Sequence, residues 1–136
     1  MFLEHGLAAL KQILLQPDPY NLHELRLVSC NTTSKITGSL VNFLVLSRCH
    51  LRSLSLVQMQ VNKVSLARLA NYVENSEYLE DLDVSWNDLL PIDFVPLFNV
   101  LSNNKTLVRL NLSCNFIIDK LDQNNPVDLR NKSAMD

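Results

Sequence analysis

The sequence predicts an α/β fold built from about four stacked strand–helix repeats. Three observations carry that expectation. Leucine fills 27 of 136 positions while glycine fills two, so leucine follows a spacing and is not mixed with other apolar residues as in an ordinary core. Four segments share one apolar pattern: Leu22-Leu25-Leu27, Leu51-Leu54-Leu56, Leu79-Leu82-Val84 and Leu107-Leu110-Leu112. Their starts are almost evenly spaced along the chain, and a constant period of about 28 residues marks a repeat architecture.

The elements follow in chain order. Leu7, Leu10 and Leu14 stand at i, i+3 and i+7 and predict a first helix over 3–16, since that spacing puts three side chains on one stripe. Gln16-Pro17-Asp18-Pro19-Tyr20 then reads as an extended, turn-rich connection. Each Leu-x-Leu segment alternates with period 2 and reads as a strand, two apolar side chains turned inward and the residue between them outward. Between the strands the helical stripe recurs as Thr37-Leu40-Leu44, Leu66-Leu69-Val73 and Phe94-Leu97-Leu101. Ser34, Ser65 and the pair Pro91 and Asp93 suit helix starts. Ends are expected near Glu74-Asn75 and Ser102-Asn103-Asn104.

One strand and one helix cannot enclose such a face, so each repeat must stack on its neighbours. Stacking gives a solenoid with a parallel sheet on the concave side and helices on the convex side. The repeat array is expected over 1–118, with repeats starting near 22, 51, 79 and 107. A polar, aperiodic tail follows at 119–136. Burying a leucine stabilises by about 1.5–3 kcal/mol, so Leu82→Asp or Leu110→Asp is expected to abolish cooperative melting.

The register continues past the strands. Three residues on stand Cys30, Met59, Asn87 and Asn115, and two further on Thr32, Val61, Leu89 and Ile117. From Leu3 to Ile117 the chain resembles the leucine-rich repeat family, whose pattern is L-x-x-L-x-L-x-x-N/C-x-L, and the length of its period resembles the ribonuclease-inhibitor-like subtype. The resemblance implies a structural role for Asn87 and Asn115, whose amides can bond backbone groups left without sheet partners where the chain bends. Cys30 is the pattern's permitted alternative. Met59 departs from it, so that turn is expected to be bonded differently.

Charge and composition exclude several functions. Twelve Lys and Arg against 14 Asp and Glu leave a net charge of −2, with no basic surplus to displace counterions from nucleic acid. Apolar runs are far shorter than the ~20 residues of a membrane span, and Glu4 and His5 interrupt any signal-peptide start, so no membrane insertion is expected. Cys30, Cys49 and Cys114 form no CxxC or Cys/His spacing suited to zinc and are expected to be reduced. Four Asn-x-Ser/Thr triplets, at Asn31, Asn104, Asn111 and Asn131, read as coincidence in a chain rich in Asn and Ser. His5, His23 and His50 have no placed nucleophile or carboxylate. No catalytic site, metal or cofactor is expected.

Strands stacked in register would line up the outward residues as rows: Glu24, Ser53, Asp81, Arg109, then Arg26, Ser55, Asp83, Asn111. Val28, Val57, Ser85 and Ser113 would form a third. Glu80, Asp81 and Asp83 make an acidic spot beside Arg109. It reads either as a dock for a basic partner or as cross-strand pairing of Asp81 with Arg109 on a solvated surface. Trp86, the single tryptophan, is placed at the rim as a binding hot spot or as packing against Met59 or Cys114.

The resemblance implies a non-catalytic protein–protein interaction scaffold. The expected setting is a multi-subunit cytoplasmic assembly, cytoskeletal or ciliary. The alternatives are an enzyme regulator, either a small-GTPase activator or a ribonuclease-inhibitor-like protein, and a fragment of a larger repeat sensor.

Overall fold

The computed structural model describes residues 4–14, 22–47 and 49–116. The ends of the expected first helix, the connection at 16–20, Ile117, and the tail at 119–136 with Asn131 lie outside the described residues. Four strands alternate with four helices: α1 (Glu4–Leu14), β1 (Glu24–Val28), α2 (Ser34–Leu46), β2 (Ser53–Val57), α3 (Lys63–Asn75), β3 (Asp81–Asp83), a 3-10 turn (Pro91–Phe94), α4 (Val95–Leu101) and β4 (Arg109–Asn111). All neighbouring strands pair in parallel, in the order β1-β2-β3-β4.

Leucine spacing sets the register. Leu25, Leu54, Leu82 and Leu110 face one another across the sheet. On the inner side Leu54, Leu56, Leu82 and Val84 are fully buried, as are Leu40, Leu44, Leu66, Leu69, Val73 and Leu97 from the helices. Sheet and helices therefore share one core. The stripe position that reads Leu in α3 reads Thr37 in α2, also fully buried. At the N-terminal end α1 turns Leu7 and Leu14 inward, and the Lys11 ammonium lies 5.7 Å from the centre of the Phe43 ring on α2, an arrangement favoured by the ring's negative face.

The end repeats are less sealed than the middle ones. Leu107, Leu110 and Leu112 are only partly buried, whereas their counterparts Leu79, Leu82 and Val84 are closed on both sides. A repeat with one neighbour buries one flank.

The helix starts differ in detail from the sequence expectation. Thr33, one residue before Ser34, caps α2, its hydroxyl accepting from Ile36 N–H at 3.3 Å. Asn62 caps α3 by accepting from Ser65 N–H at 2.9 Å. Ser65 thus lies inside the first turn. It is the recipient of the cap, because Asn62, Lys63 and Val64 precede it without apolar pattern to mark them. Asp93 accepts from Leu90 N–H at 2.9 Å and holds the entry to the 3-10 turn.

The return turns are also bonded by side chains. Ser76 Oγ accepts from Tyr78 and Leu79 N–H. One period later Asn104 accepts from Thr106 and Leu107 N–H and donates to Val73 O at 2.9 Å. Asn104, which reads from sequence as plain loop, ties the fourth strand's approach to the third helix.

The three cysteines are free; Cys114 is exposed, Cys30 half-buried and Cys49 buried. Burial pushes the Cys49 thiol above its ordinary range, against a smaller lowering by a backbone hydrogen bond from Leu51. A thiol-specific reagent is expected to titrate Cys114 first, Cys30 next and Cys49 only on unfolding. Because the folded state raises the Cys49 pKa, its contribution to stability is complete below the unfolded thiol's pKa. That contribution is lost as pH rises through the folded value. Urea midpoints measured across this alkaline window are expected to fall, and to fall less in Cys49→Ala.

Candidate functional site

The open face of the sheet carries the outward residues in two rows. Glu24 pairs with Ser53, Ser53 with Asp81 and Asp81 with Arg109; Arg26, Ser55, Asp83 and Asn111 follow two residues on. Together they line a single shallow groove. Val28 and Val57 continue as a third pair.

Hydrogen bonds hold much of this face in place. Arg109 Nε donates to Asp81 Oδ2 at 2.9 Å, an ion pair that bridges β3 and β4. Asn111 Nδ2 reaches Asp83 Oδ2 at 3.3 Å. Asp83 Oδ1 accepts from both the N–H and the hydroxyl of Ser85, at 3.0 and 2.7 Å. One strand over, Asn111 Oδ1 accepts from Ser113 in the same two ways, at 3.0 and 2.6 Å. Glu24, Asp81 and Asp83 outnumber Arg26 and Arg109 in the groove, which is therefore net acidic.

The Arg109 side chain remains 75% exposed in its ion pair. Water screens such a pair, and exposed pairs are worth about 0.2–1 kcal/mol. Arg109→Ala is therefore expected to shift the urea midpoint barely, and less still in high salt. The pair orients Arg109 more than it stabilises the fold.

At the ends of the strands the backbone turns sharply. Ser29, Gln58, Trp86 and Cys114 recur with the repeat, with φ of 51°, 52°, 61° and 56°. Gln60, Asp88 and Phe116 belong to a second left-handed row. That region disfavours side-chain-bearing residues by about 1–2 kcal/mol each. Ser29, Gln58 and Trp86 N–H donate to the carbonyls of Val57, Ser85 and Ser113 in the next repeat, which offsets part of the strain. Trp86 is 58% exposed in this row, so neighbouring loops do not enclose its ring.

Between the two left-handed rows lie Asn87 and Asn115. Asn87 Oδ1 accepts from Met59 and Val61 N–H, both at 3.0 Å. Its Nδ2 approaches the carbonyls of Leu56, Val84 and Ser85 at 2.8, 2.9 and 3.0 Å. Asn115 Oδ1 accepts in turn from Asn87 and Leu89 N–H at 3.0 and 3.1 Å, and its Nδ2 reaches Val84 and Leu112 O. Each amide thus bonds its own turn and the preceding one. Met59, one repeat earlier, is fully buried, and its carbonyl accepts instead from the Thr37 hydroxyl of α2. Among the described residues Cys30 Sγ has one long contact, 3.9 Å to Val28 O.

His50 stacks on Tyr78 with ring centres 4.2 Å apart, away from the sheet face. Among the described residues no group of three or more His, Cys, Asp or Glu could hold a metal ion, and no helix is long and apolar enough to cross a membrane.

No protein-family model matches the chain. A curated relative, mouse (Mus musculus) NACHT, LRR and PYD domains-containing protein 14, is 34% identical over 113 residues, covering 82% of this chain. The chain spans 11% of that relative's length. Among solved structures, leiomodin-1 actin-binding site 2 matches with a TM-score of 0.63 at 16% identity, over 83% of this chain and 62% of that one. The tropomodulin C-terminal domain of Caenorhabditis elegans matches with a TM-score of 0.69 at 19% identity, over 80% of this chain and 65% of that one. At such identities the structural matches speak to fold alone. Together with the mouse relative they agree with the period and the parallel sheet: the repeats are of the leucine-rich type.

Proposed function

We propose that this chain is a non-catalytic protein-interaction module whose concave sheet face docks a basic segment of a partner. Asp81 and Asp83 supply the charge in this reading, and Trp86 supplies a rim anchor. Glu24, Arg26 and Arg109 set orientation. Cys30, Asn87 and Asn115 keep the turns behind the face in shape. The observation that carries the reading is the half-exposed Trp86 at the rim of a face whose carboxylates are already fixed by cross-strand bonds, since pre-set groups lose little freedom on binding. The array is a solenoid of the ribonuclease-inhibitor-like subtype. It serves as a scaffold subunit of a larger cytoplasmic assembly, cytoskeletal or ciliary. A cytoskeletal setting draws support from sharing a fold with leiomodin-1 actin-binding site 2.

Charge reversal tests the surface. Asp81→Lys and Trp86→Ala are expected to keep the wild-type melting curve and Asp83→Lys to lower it, since Ser85 loses its acceptor; all three are expected to lose cross-links to native partners in cross-linking mass spectrometry. Variants that stay folded and retain every partner would move the interface to another surface.

A second reading has its own observation: a relative carrying NACHT and PYD domains, of which this chain matches a small part. The chain would then be part of a larger repeat sensor. Immunoblotting the endogenous protein decides, because a species far above 15.5 kDa favours it. Regulation of an enzyme, whether a small GTPase or a ribonuclease, is a third role open to the same face. Titrating candidate enzymes with the Asp81→Lys variant as control tests it.

A further inference from the structure

Where α2 and α3 end, the array holds a cavity that the sheet-face reading leaves unused. It encloses about 350 Å³, within the ~300–1,000 Å³ typical of ligand pockets. Tyr72 and Cys49, both more than nine-tenths buried, line it with Val45, and the stacked rings of His50 and Tyr78 border it. We propose that this pocket binds the guanidinium group of an arginine side chain presented by a partner protein.

Three features of different kinds point there. The first is unbalanced negative charge. The C-cap residues of both helices, Ser47 and Ser76, line the pocket, so the negative ends of two helix dipoles converge on it. Neither helix has a basic residue in its last turn. Glu77 adds a carboxylate, and among the described residues no lysine or arginine lines the pocket. The one ion pair among the described residues joins Asp81 to Arg109, so Glu77 has no described cation.

The second is the state of the hydrogen-bonding groups. Tyr72 Oη donates to Cys49 O at 3.2 Å and Ser47 Oγ to Leu44 O at 3.1 Å. Asn75 Nδ2 donates to Asn71 O and Oδ1 at 2.8 and 2.7 Å. These three side chains spend their donors on the protein itself and keep acceptor capacity in the two hydroxyl oxygens and Asn75 Oδ1. With Glu77 added, the pocket offers mostly acceptors, and an occupant rich in donors completes it.

The third is shape. The His50 and Tyr78 rings lie 4.2 Å apart and 23° from parallel, a flat aromatic wall. Burial raises the Cys49 pKa, so that part of the lining stays neutral beside the half-buried Val45. A guanidinium meets all three features: one delocalised charge, five N–H donors, no acceptor, and a plane that stacks on aromatic rings. Its methylene stem suits Val45 and the Tyr72 ring. A lysine ammonium has the charge without the plane. A side chain fits better than free arginine, whose carboxylate would face Glu77 with no lysine or arginine to receive it.

The test is a ¹⁵N-NMR titration of the whole chain with a blocked alanine pentapeptide carrying one central arginine, at constant ionic strength. The same peptide with lysine, the same with citrulline (the neutral isostere), and free arginine are the comparisons. Saturable shifts confined to amides of 45–50 and 71–79 are expected with the arginine peptide, weaker with lysine and absent with citrulline. Glu77→Gln and Tyr78→Ala are each expected to weaken binding about tenfold, through loss of a charge-assisted bond and of the stack. Glu74→Gln, on the same helix but outside the pocket, is expected to leave affinity unchanged. Equal binding of the citrulline or lysine peptide, or an unchanged affinity in Glu77→Gln, would overturn the proposal. So would shifts confined to the sheet residues 81–85 and 109–113, which would seat the arginine on the acidic groove instead. Free arginine binding more tightly than the peptide would overturn the partner as source. Tighter peptide binding in Arg48→Ala would do the same, by making the chain's own arginine the occupant.

Discussion

Leu82→Asp is expected to leave no cooperative thermal transition by circular dichroism. Leu82 is fully buried in β3, with Leu54 opposite it on one side and Leu110 on the other. The substitution removes apolar burial and places a carboxylate among leucines, where no cation or donor can reach it. Unpaired burial of that kind costs several kcal/mol, a large share of the ~5–15 kcal/mol that holds a domain together. Leu82→Ala is the graded version, at about 2–5 kcal/mol. Leu110→Asp occupies the same place one repeat on, and sequence alone predicts equal damage. The structure revises that: Leu110 is only partly buried because no described strand covers its far side. A residual, lowered melting transition is expected for Leu110→Asp. Equal loss in both variants would mean that the fourth repeat is sealed as tightly as the third.

Asn87→Ala carries the second large effect, an expected loss of several kcal/mol in urea denaturation. The amide accepts from two buried N–H groups and donates to buried carbonyls on two repeats. Alanine leaves those groups dry and unpaired, at about 1–3 kcal/mol each. Asn87→Asp separates the two halves of the amide: it keeps an acceptor for Met59 and Val61 but loses the Nδ2 donor and buries a charge. It is expected to be at least as damaging as alanine. A loss in Asn87→Ala below ~1 kcal/mol, the worth of one ordinary hydrogen bond, would show that water takes over these contacts and that the amide ties the repeats together only weakly.

Much of the architecture is legible in the chain. The even intervals between Leu22, Leu51, Leu79 and Leu107 imply in-register parallel strands, because a repeated unit can bury its face only against copies of itself. The helical stripes at Thr37, Leu66 and Phe94 are legible for the same reason. Caps are less so: Ser34 and Ser65 suit the role, yet Thr33 and Asn62 make the capping bonds. Ser, Thr and Asn are near-equivalent as caps, so composition does not choose among neighbours. Asn104 escapes a sequence reading because a polar loop residue carries no periodic signal.

The candidate site divides in the same way. Which residues share the open face follows from period-2 alternation. Whether Asp81 pairs with Arg109 and how far the Trp86 ring stands in solvent depend on rotamers and on the approach of segments a full repeat apart. The period, the strand register and the inward set of leucines are written into the residues themselves, because they are geometric demands renewed in every repeat. The caps and the left-handed turns that carry Trp86 emerge only once the repeats are packed. A cap rests on one contact between near neighbours, and the left-handed turns, though they recur, fall on Ser29, Gln58, Trp86 and Cys114, which share no residue type that a sequence reading could pick out.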